Sequence, residues 1–208
     1  MCCKVDNMGI TDRKEREKQE MRKLIITAAM EMFIKEGFDR TSIRNIADKI
    51  EYSPATIYLY YKDKDELLYE VQGQAFLELY NAFVRDVTAT DPLERLEQLL
   101  YSYINFGFEH PDLYDLMFIL RAPMNAVNDN DWPNCDEAYS YLGQIIEQCI
   151  DQLRYENAQV AALSIWALGH GLISLFIKER IKVMELPDDQ IRNVIDATVA
   201  EYLRLIKK

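Results

Sequence analysis

The chain is poor in the residues that build metal sites, disulfide frameworks and phosphate-cradling loops. It has two histidines, His110 and His170, well separated, and four cysteines, Cys2, Cys3, Cys135 and Cys149, without the paired spacing of a zinc site. No metal, cofactor or disulfide set is expected, and a reducing cytoplasm is the simplest home for such thiols. Cys2 and Cys3 read as incidental thiols at a loose start, with redox sensing as the alternative. Only seven glycines are present, none in a nucleophile elbow or a Gly-rich phosphate loop. With no support for a triad, and with carboxylates that read as solvated helix faces, an enzyme is not expected.

A leader and a membrane span are missing from the pattern too. The start runs into the charged segment TDRKEREKQEMRK at 11–23 rather than into an apolar core. The most apolar span, Ala158 to Ile177, is interrupted by Gln159, Ser164, His170 and Ser174, so it is expected as a buried helix at a core or subunit interface. Basic charge is scarce overall, with 24 Lys+Arg against 35 Asp+Glu and a net charge of -11. That balance argues against nucleic acid until it is divided along the chain. Residues 1–64 carry 13 basic and 11 acidic side chains, whereas residues 65–208 carry 11 and 24. The basic excess therefore lies only in the first third, and the acidic remainder should repel a polyanion and orient that first third toward it.

That first third carries the most ordered pattern in the chain, GFDRTSIRNIADKIEYSPATIYLYYKDKDEL from Gly37 to Leu67. Ile43, Ile46, Ala47 and Ile50 recur at the i, i+3, i+4, i+7 spacing of one buried helix face, and Thr41 is placed to cap that helix. Ser53 is placed to cap a second helix, with Pro54 in its first turn and Ile57 and Tyr61 turned inward. Ala55, Thr56, Tyr58 and Tyr60 are left on the other face, as small, hydroxyl-bearing or aromatic groups of the kind that meet base edges, thymine methyls and phosphates. Two short helices, a tight turn and a long third helix make a helix-turn-helix reading unit.

At these residues the chain resembles the tetracycline-repressor (TetR) family of transcriptional regulators. The likeness starts at IITAAMEMFIKEGF, Ile25 to Phe38, continues through T-S-x-x-x-I-A at Thr41 to Ala47 and S-x-x-x-I-Y-x-Y-Y at Ser53 to Tyr61, and closes with K-D-E-L at Lys64 to Leu67. The chain departs from the pattern at Ile50-Glu51-Tyr52, where Ala-Gly-Val is usual, and at Ala55, often glycine. The resemblance implies an all-α protein in which Ser42, Arg44, Pro54, Ala55 and Thr56 face bases, Tyr58, Tyr60 and Lys64 face phosphates, and Ser53 belongs to the same DNA-binding set. Arg44 is the sharpest of these, because a guanidinium can pair with guanine bidentately. The implied division is a flexible charged arm over 1–19, a helix-turn-helix domain over 20–66 and a helical ligand-binding and dimerisation domain over 67–208. Within the arm, Thr11 to Lys23 reads as a solvated helical extension, with Arg13, Lys14, Arg16 and Lys18 available to phosphates as the alternative.

Beyond Leu67 the spacing predicts helices over 65–87, 92–109 (capped by Asp91), 112–120, 136–154, 157–179 and 187–206, with an Asn/Asp-rich loop at 122–133 that carries Trp132. Trp166 to Leu172 resembles the Trp...His-Gly signature of one class of TetR ligand-binding domains, which implies a homodimer built on the last two helices. Gly169 and Gly171 suit such a seam. Aromatic and sulfur side chains crowd the middle helices. Phe76, Tyr80, Phe83, Tyr101, Phe106, Tyr114, Met117, Phe118, Tyr139 and Trp166 are the candidate pocket set, with His170 either a polar contact or a hydrogen-bonded structural residue. Phe108 and Met124 belong to the same crowd. The expected function is that of a dimeric regulator on a palindromic double-stranded DNA operator, most simply a repressor released by a small-molecule effector. A binding or interaction module that keeps the helix-turn-helix only as a scaffold is the competing class.

Overall fold

The computed structural model describes residues 11–119 and 133–208, so Cys2, Cys3, Met124, Trp132 and the loop around them lie outside the described residues. The described chain is helical throughout: α1 (Thr11–Glu36), α2 (Ile43–Lys49), α3 (Pro54–Tyr58), α4 (Lys64–Asp86), α5 (Pro92–Glu109), α6 (Pro111–Tyr114), α7 (Pro133–Cys149), α8 (Ala158–Ile177) and α9 (Asp188–Ile206). A π-helical turn, Asp115–Ile119, continues α6, and short 3-10 turns follow α7 and α8. The helices form two compact units, which divide between Val71 and Gln72 inside α4. Leu67, Leu68 and Val71 are buried and belong to the first unit, so that unit extends past the expected edge at residue 66.

In the first unit, α1 presents Ile25, Ala28, Ala29, Met32 and Phe33 at helical spacing, and α2 packs Ile43, Ile46 and Ala47 into the same core. Residues 11–19 are the opening turns of α1 rather than a separate arm. Strong helix formers and the i, i+4 pairs Arg13–Glu17 (2.7 Å) and Glu15–Gln19 (2.8 Å) explain the helical state of this exposed stretch. The cap of α2 is Ser42, not Thr41. Ser42 Oγ accepts from Asn45 N (3.1 Å) while Asn45 Oδ1 accepts from Ser42 N (3.1 Å), a reciprocal box. Thr41 is buried instead, and its hydroxyl donates to the carbonyl of Gly37 (2.9 Å).

α2 ends in a Schellman turn. Tyr52 N donates to Ala47 O (3.0 Å) and Glu51 N to Asp48 O (3.2 Å), with Glu51 at φ 61° where glycine is usual. A side chain in that conformation costs about 1 kcal/mol, which the two hydrogen bonds and the buried faces of α2 and α3 offset. Ser53 caps α3 and Pro54 occupies its first turn, as the spacing predicts.

In the second unit α5 is central and touches α6, α7, α8 and α9. Asp91 caps it, its Oδ1 accepting from Leu93 N (3.0 Å) and Glu94 N (3.1 Å). α8 is long and apolar enough to cross a membrane, yet it packs on α5 and α7 and buries Ala161, Ala162, Ile165, Gly169 and Ile173. Gly169 is spent inside the subunit and not in the expected seam, because a Cβ there would stand 3.0 Å from Tyr103 and 3.2 Å from Leu100. Gly171 has open space around it. At Gly107 of α5 there is no room for a side chain beside α8, since a Cβ would meet Ile173 Cγ2 at 2.5 Å. Gly107→Ala is therefore expected to destabilise the protein by about 1–3 kcal/mol in urea unfolding. Gly143→Ala, in α7 with nothing near its Cβ, should stabilise by about 0.5–1 kcal/mol.

Candidate nucleic-acid interface and apolar cavity

The outer face of α2 and α3 gathers the residues that the sequence assigns to DNA. Ser42, Arg44, Ser53, Ala55 and Tyr58 are exposed, and Pro54, Thr56, Tyr60 and Lys64 partly so. Arg44 makes no hydrogen bond or ion pair among the described residues, so its guanidinium is free to meet a phosphate or a guanine edge. The two serines are committed to their caps. Ser53 Oγ accepts from Thr56 N (3.3 Å) and shares a hydrogen bond with Thr56 Oγ1 (3.1 Å), which ties up the hydroxyl of Thr56 as well.

Lys64 has a structural task besides the phosphate contact expected of it. Its Nζ donates to the carbonyls of Phe38 (2.8 Å) and Thr41 (3.0 Å) and lies 4.1 Å from the centre of the Phe38 ring. Two of its three donors thus hold the α1–α2 corner, and one remains for a phosphate. Tyr61 serves as a hydrophobe. It is 2% exposed, and burial, with the nearby Glu70 charge, pushes its phenol up to about 12.

Sequence reasoning passed over Leu59. It follows α3 directly and is 81% exposed, between Tyr58 and Tyr60. The signal was available: Leu59 sits off the Ile57–Tyr61 spacing that turns inward, so an apolar side chain there must face outward. Such a group suits a thymine methyl.

The second unit contains a cavity of about 330 Å³ that is open on one side, where Tyr139 and Trp166 are exposed. Its wall comes from Phe76, Leu79 and Phe83 of α4, Leu96, Leu99, Leu100 and Tyr103 of α5, Phe118 of the π-helical turn, Ala138, Tyr139 and Leu142 of α7, and Ile165 and Trp166 of α8. Of the expected pocket residues, Phe76, Phe83, Phe118, Tyr139 and Trp166 line it. Tyr80 lines a shallow outer groove with Tyr141 instead, and the Tyr101 hydroxyl donates to the Asp196 carbonyl (3.4 Å). Phe106 and Met117 are buried off the wall, Phe106 beside His110 with ring centres 5.1 Å apart.

Tyr114 and His170 stand behind Tyr103 in a hydrogen-bonded row. Tyr103 and Tyr114 hydroxyls are 2.6 Å apart, Tyr114 Oη is 2.8 Å from His170 Nδ1, and His170 Nε2 is 3.3 Å from Ser174 Oγ. Trp166 Nε1 donates to the Tyr103 hydroxyl (3.1 Å). His170 is thus a hydrogen-bonded residue behind the wall, and burial holds its imidazole below the usual range. Burial raises both phenols, so the row is uncharged near neutral pH. The aliphatic half of the wall, with Tyr103, was not read from the sequence. Aromatic identity drew the reading to Tyr101 and Phe106, although Leu96, Leu99, Leu100 and Tyr103 share one helical face.

Comparisons with known proteins bear on both units. The family model described as "Bacterial regulatory proteins, tetR family" matches residues 25–71, and the model "Tetracyclin repressor-like, C-terminal domain" matches residues 96–200, half of the chain. The HTH-type transcriptional regulator AcrR of Shigella flexneri is 26% identical over 152 residues, covering 67% of this chain and 68% of that protein. The HTH-type transcriptional regulator HbdR of Aromatoleum sp. (strain CIB) is 33% identical over 95 residues, 45% of this chain and 41% of that one. The chain spans less than half the length of HbdR and of YuxN from Bacillus subtilis, of which 43% is covered. Among solved structures, a protein of unknown function from Rhodococcus sp. RHA1 superposes with a TM-score of 0.73 at 20% identity, covering 90% of this chain and 95% of that chain. A tetR-family regulator from Shewanella sp. PV-4 gives 0.64 at 16% identity, covering 86% and 95%. At those identities the structural likeness is one of fold. With a family model on each unit, one of them spanning half of the sequence, the chain belongs to the TetR family of bacterial regulatory proteins.

Proposed function

We propose that the protein is an effector-responsive transcriptional regulator, most simply a cytoplasmic repressor, that binds a palindromic operator as a dimer and lets go when a small molecule enters the cavity. The observation that carries this reading is that Arg44, Tyr58 and Leu59 stand exposed on the outer face of α2–α3, in a unit matched by the model of tetR-family bacterial regulatory proteins. Two such faces related by a two-fold axis require half-sites about 34 to 36 Å apart, or a multiple of one DNA turn.

Dimerisation is supported by α8. Val160 and Leu163 are 55% and 59% exposed, and Ala167 and the open Gly171 continue the same stripe. Exposed Ala197 and Ala200 on α9 add small side chains that permit close helix approach. Effector binding would favour a spacing of the two heads that no longer fits the operator. Such coupling is typically about 1 to 3 kcal/mol and is reciprocal, so operator DNA must weaken the effector by the same factor.

Binding of the purified protein to its own upstream DNA and to scrambled DNA across a salt series tests the main reading. A preference on the order of a thousandfold, falling steeply with salt, is expected. Equal weak binding to both would favour the scaffold alternative. Arg44→Ala should lose about 1 to 3 kcal/mol at one base position and relax specificity there, and a uniform loss on specific and random DNA would remove its assigned role. Leu163→Arg should keep the helical circular-dichroism signal but sediment as a monomer with weakened operator binding. A dimer of unchanged strength would place the interface elsewhere.

A further inference from the structure

The cavity says what kind of molecule it takes, provided the body is the effector-sensing unit proposed above. Among its described lining residues there is no Asp, Glu, Lys, Arg or His, and the lining residues that carry a polar side-chain atom are Tyr103, Tyr139 and Trp166. A carboxylate, phosphate or ammonium group seated there would give up its hydration without a countercharge, which costs several kcal/mol at least. A neutral molecule is under no such penalty, and most of its surface would find hydrocarbon.

One polar position is nevertheless provided, and counting protons shows what it offers. Trp166 can only donate, so the Tyr103 oxygen accepts from it. The remaining row can run in two directions. If Tyr103 donates to Tyr114, Tyr114 donates to His170 Nδ1 and His170 Nε2–H donates to Ser174, leaving Tyr103 with one unused lone pair. If His170 Nδ1–H donates to Tyr114 and Tyr114 to Tyr103, the Tyr103 oxygen has accepted twice and its own O–H is unused. Tyr103 can therefore serve either a hydroxyl that donates or a carbonyl that accepts, and the row behind it adjusts at no cost in charge.

We propose that the effector is an uncharged, largely apolar molecule carrying one hydroxyl or carbonyl group, anchored at Tyr103, with its hydrocarbon body against Phe76, Phe83 and Phe118 and Trp166 beside it. The anchored group reaches His170 and Ser174 on α8 through Tyr114, so its arrival is felt on the helix that carries the exposed stripe.

The chain has two tryptophans, so Trp132→Phe leaves Trp166 as the sole indole reporter. The full-length W132F protein is titrated at neutral pH, without DNA, with 4-phenylbutanol, 4-phenylbutyrate, 4-phenylbutylammonium and n-butylbenzene, reading indole emission. Saturable binding of the alcohol, on the order of a hundredfold tighter than either ion, is expected. Tyr103→Phe in the same background should weaken the alcohol by about three- to tenfold and leave butylbenzene unchanged, which also reports that the cavity is intact. An ion that binds as tightly as the alcohol, or an alcohol without saturable binding, overturns the ligand class. Equal weakening of alcohol and hydrocarbon by Tyr103→Phe overturns the anchor. Because no DNA is present, failure here leaves the operator experiment standing, and failure on the operator leaves this result intact.

Discussion

The close packing of α8 on α5 is the contact on which the body depends. Gly107 admits the Ile173 side chain, and Gly169 admits Tyr103 and Leu100, so two helices meet where any larger residue would hold them apart. That approach brings Tyr103, Tyr114, Trp166 and His170 within one hydrogen-bonded set. The cavity lies beside this contact, walled by the aliphatic face of α5 and the aromatic side chains of α4 and α7. Moving α8 by the width of a methyl group would separate the phenols from the indole and leave buried polar groups unpaired, at about 1–3 kcal/mol each. One packing contact thus sets the shape of the cavity and the order of the polar row behind it.

The head obeys a different constraint. α2 has seven residues and α3 five, far below the length at which a helix holds itself together in water. They persist because each end is capped and each inner face is buried. Ser42 with Asn45, the Schellman turn at Glu51, Ser53 with Thr56, and Lys64 on the carbonyls of Phe38 and Thr41 satisfy the backbone groups at the corners. The polar groups spent in this way are unavailable to a partner. Exposed and outside those caps are Arg44, Ala55, Tyr58 and Leu59, one cation, one small side chain and two large ones.

Much of this was legible in the sequence by itself. The apolar spacing of Ile43, Ile46, Ala47, Ile57 and Tyr61, the serine before Pro54 and the aspartate before Pro92 are local signals, and local physics answers them: a cap needs its oxygen within a few residues, and a buried face needs a 3.6-residue period. The helical class and most element edges follow from such signals, while the family rests on the resemblance of the ordered motifs from Ile25 to Leu67. Where two hydroxyls competed for one cap, local reasoning chose Thr41, and the structure gave the position to Ser42 because Thr41 is buried against α1.

Only the tertiary structure decided which side chains share a cavity and which polar atoms stay free. Tyr101 and Tyr103 are two residues apart on one helix, and a rotation of about 200° separates one from the cavity and places the other at its polar corner. Lys64 and Phe38 are 26 positions apart, and their contact has no trace in either neighbourhood. Composition and periodicity report what a residue can bury, whereas its partner is set by how helices distant in sequence cross, and that crossing is fixed by close approaches such as Gly107 on Ile173.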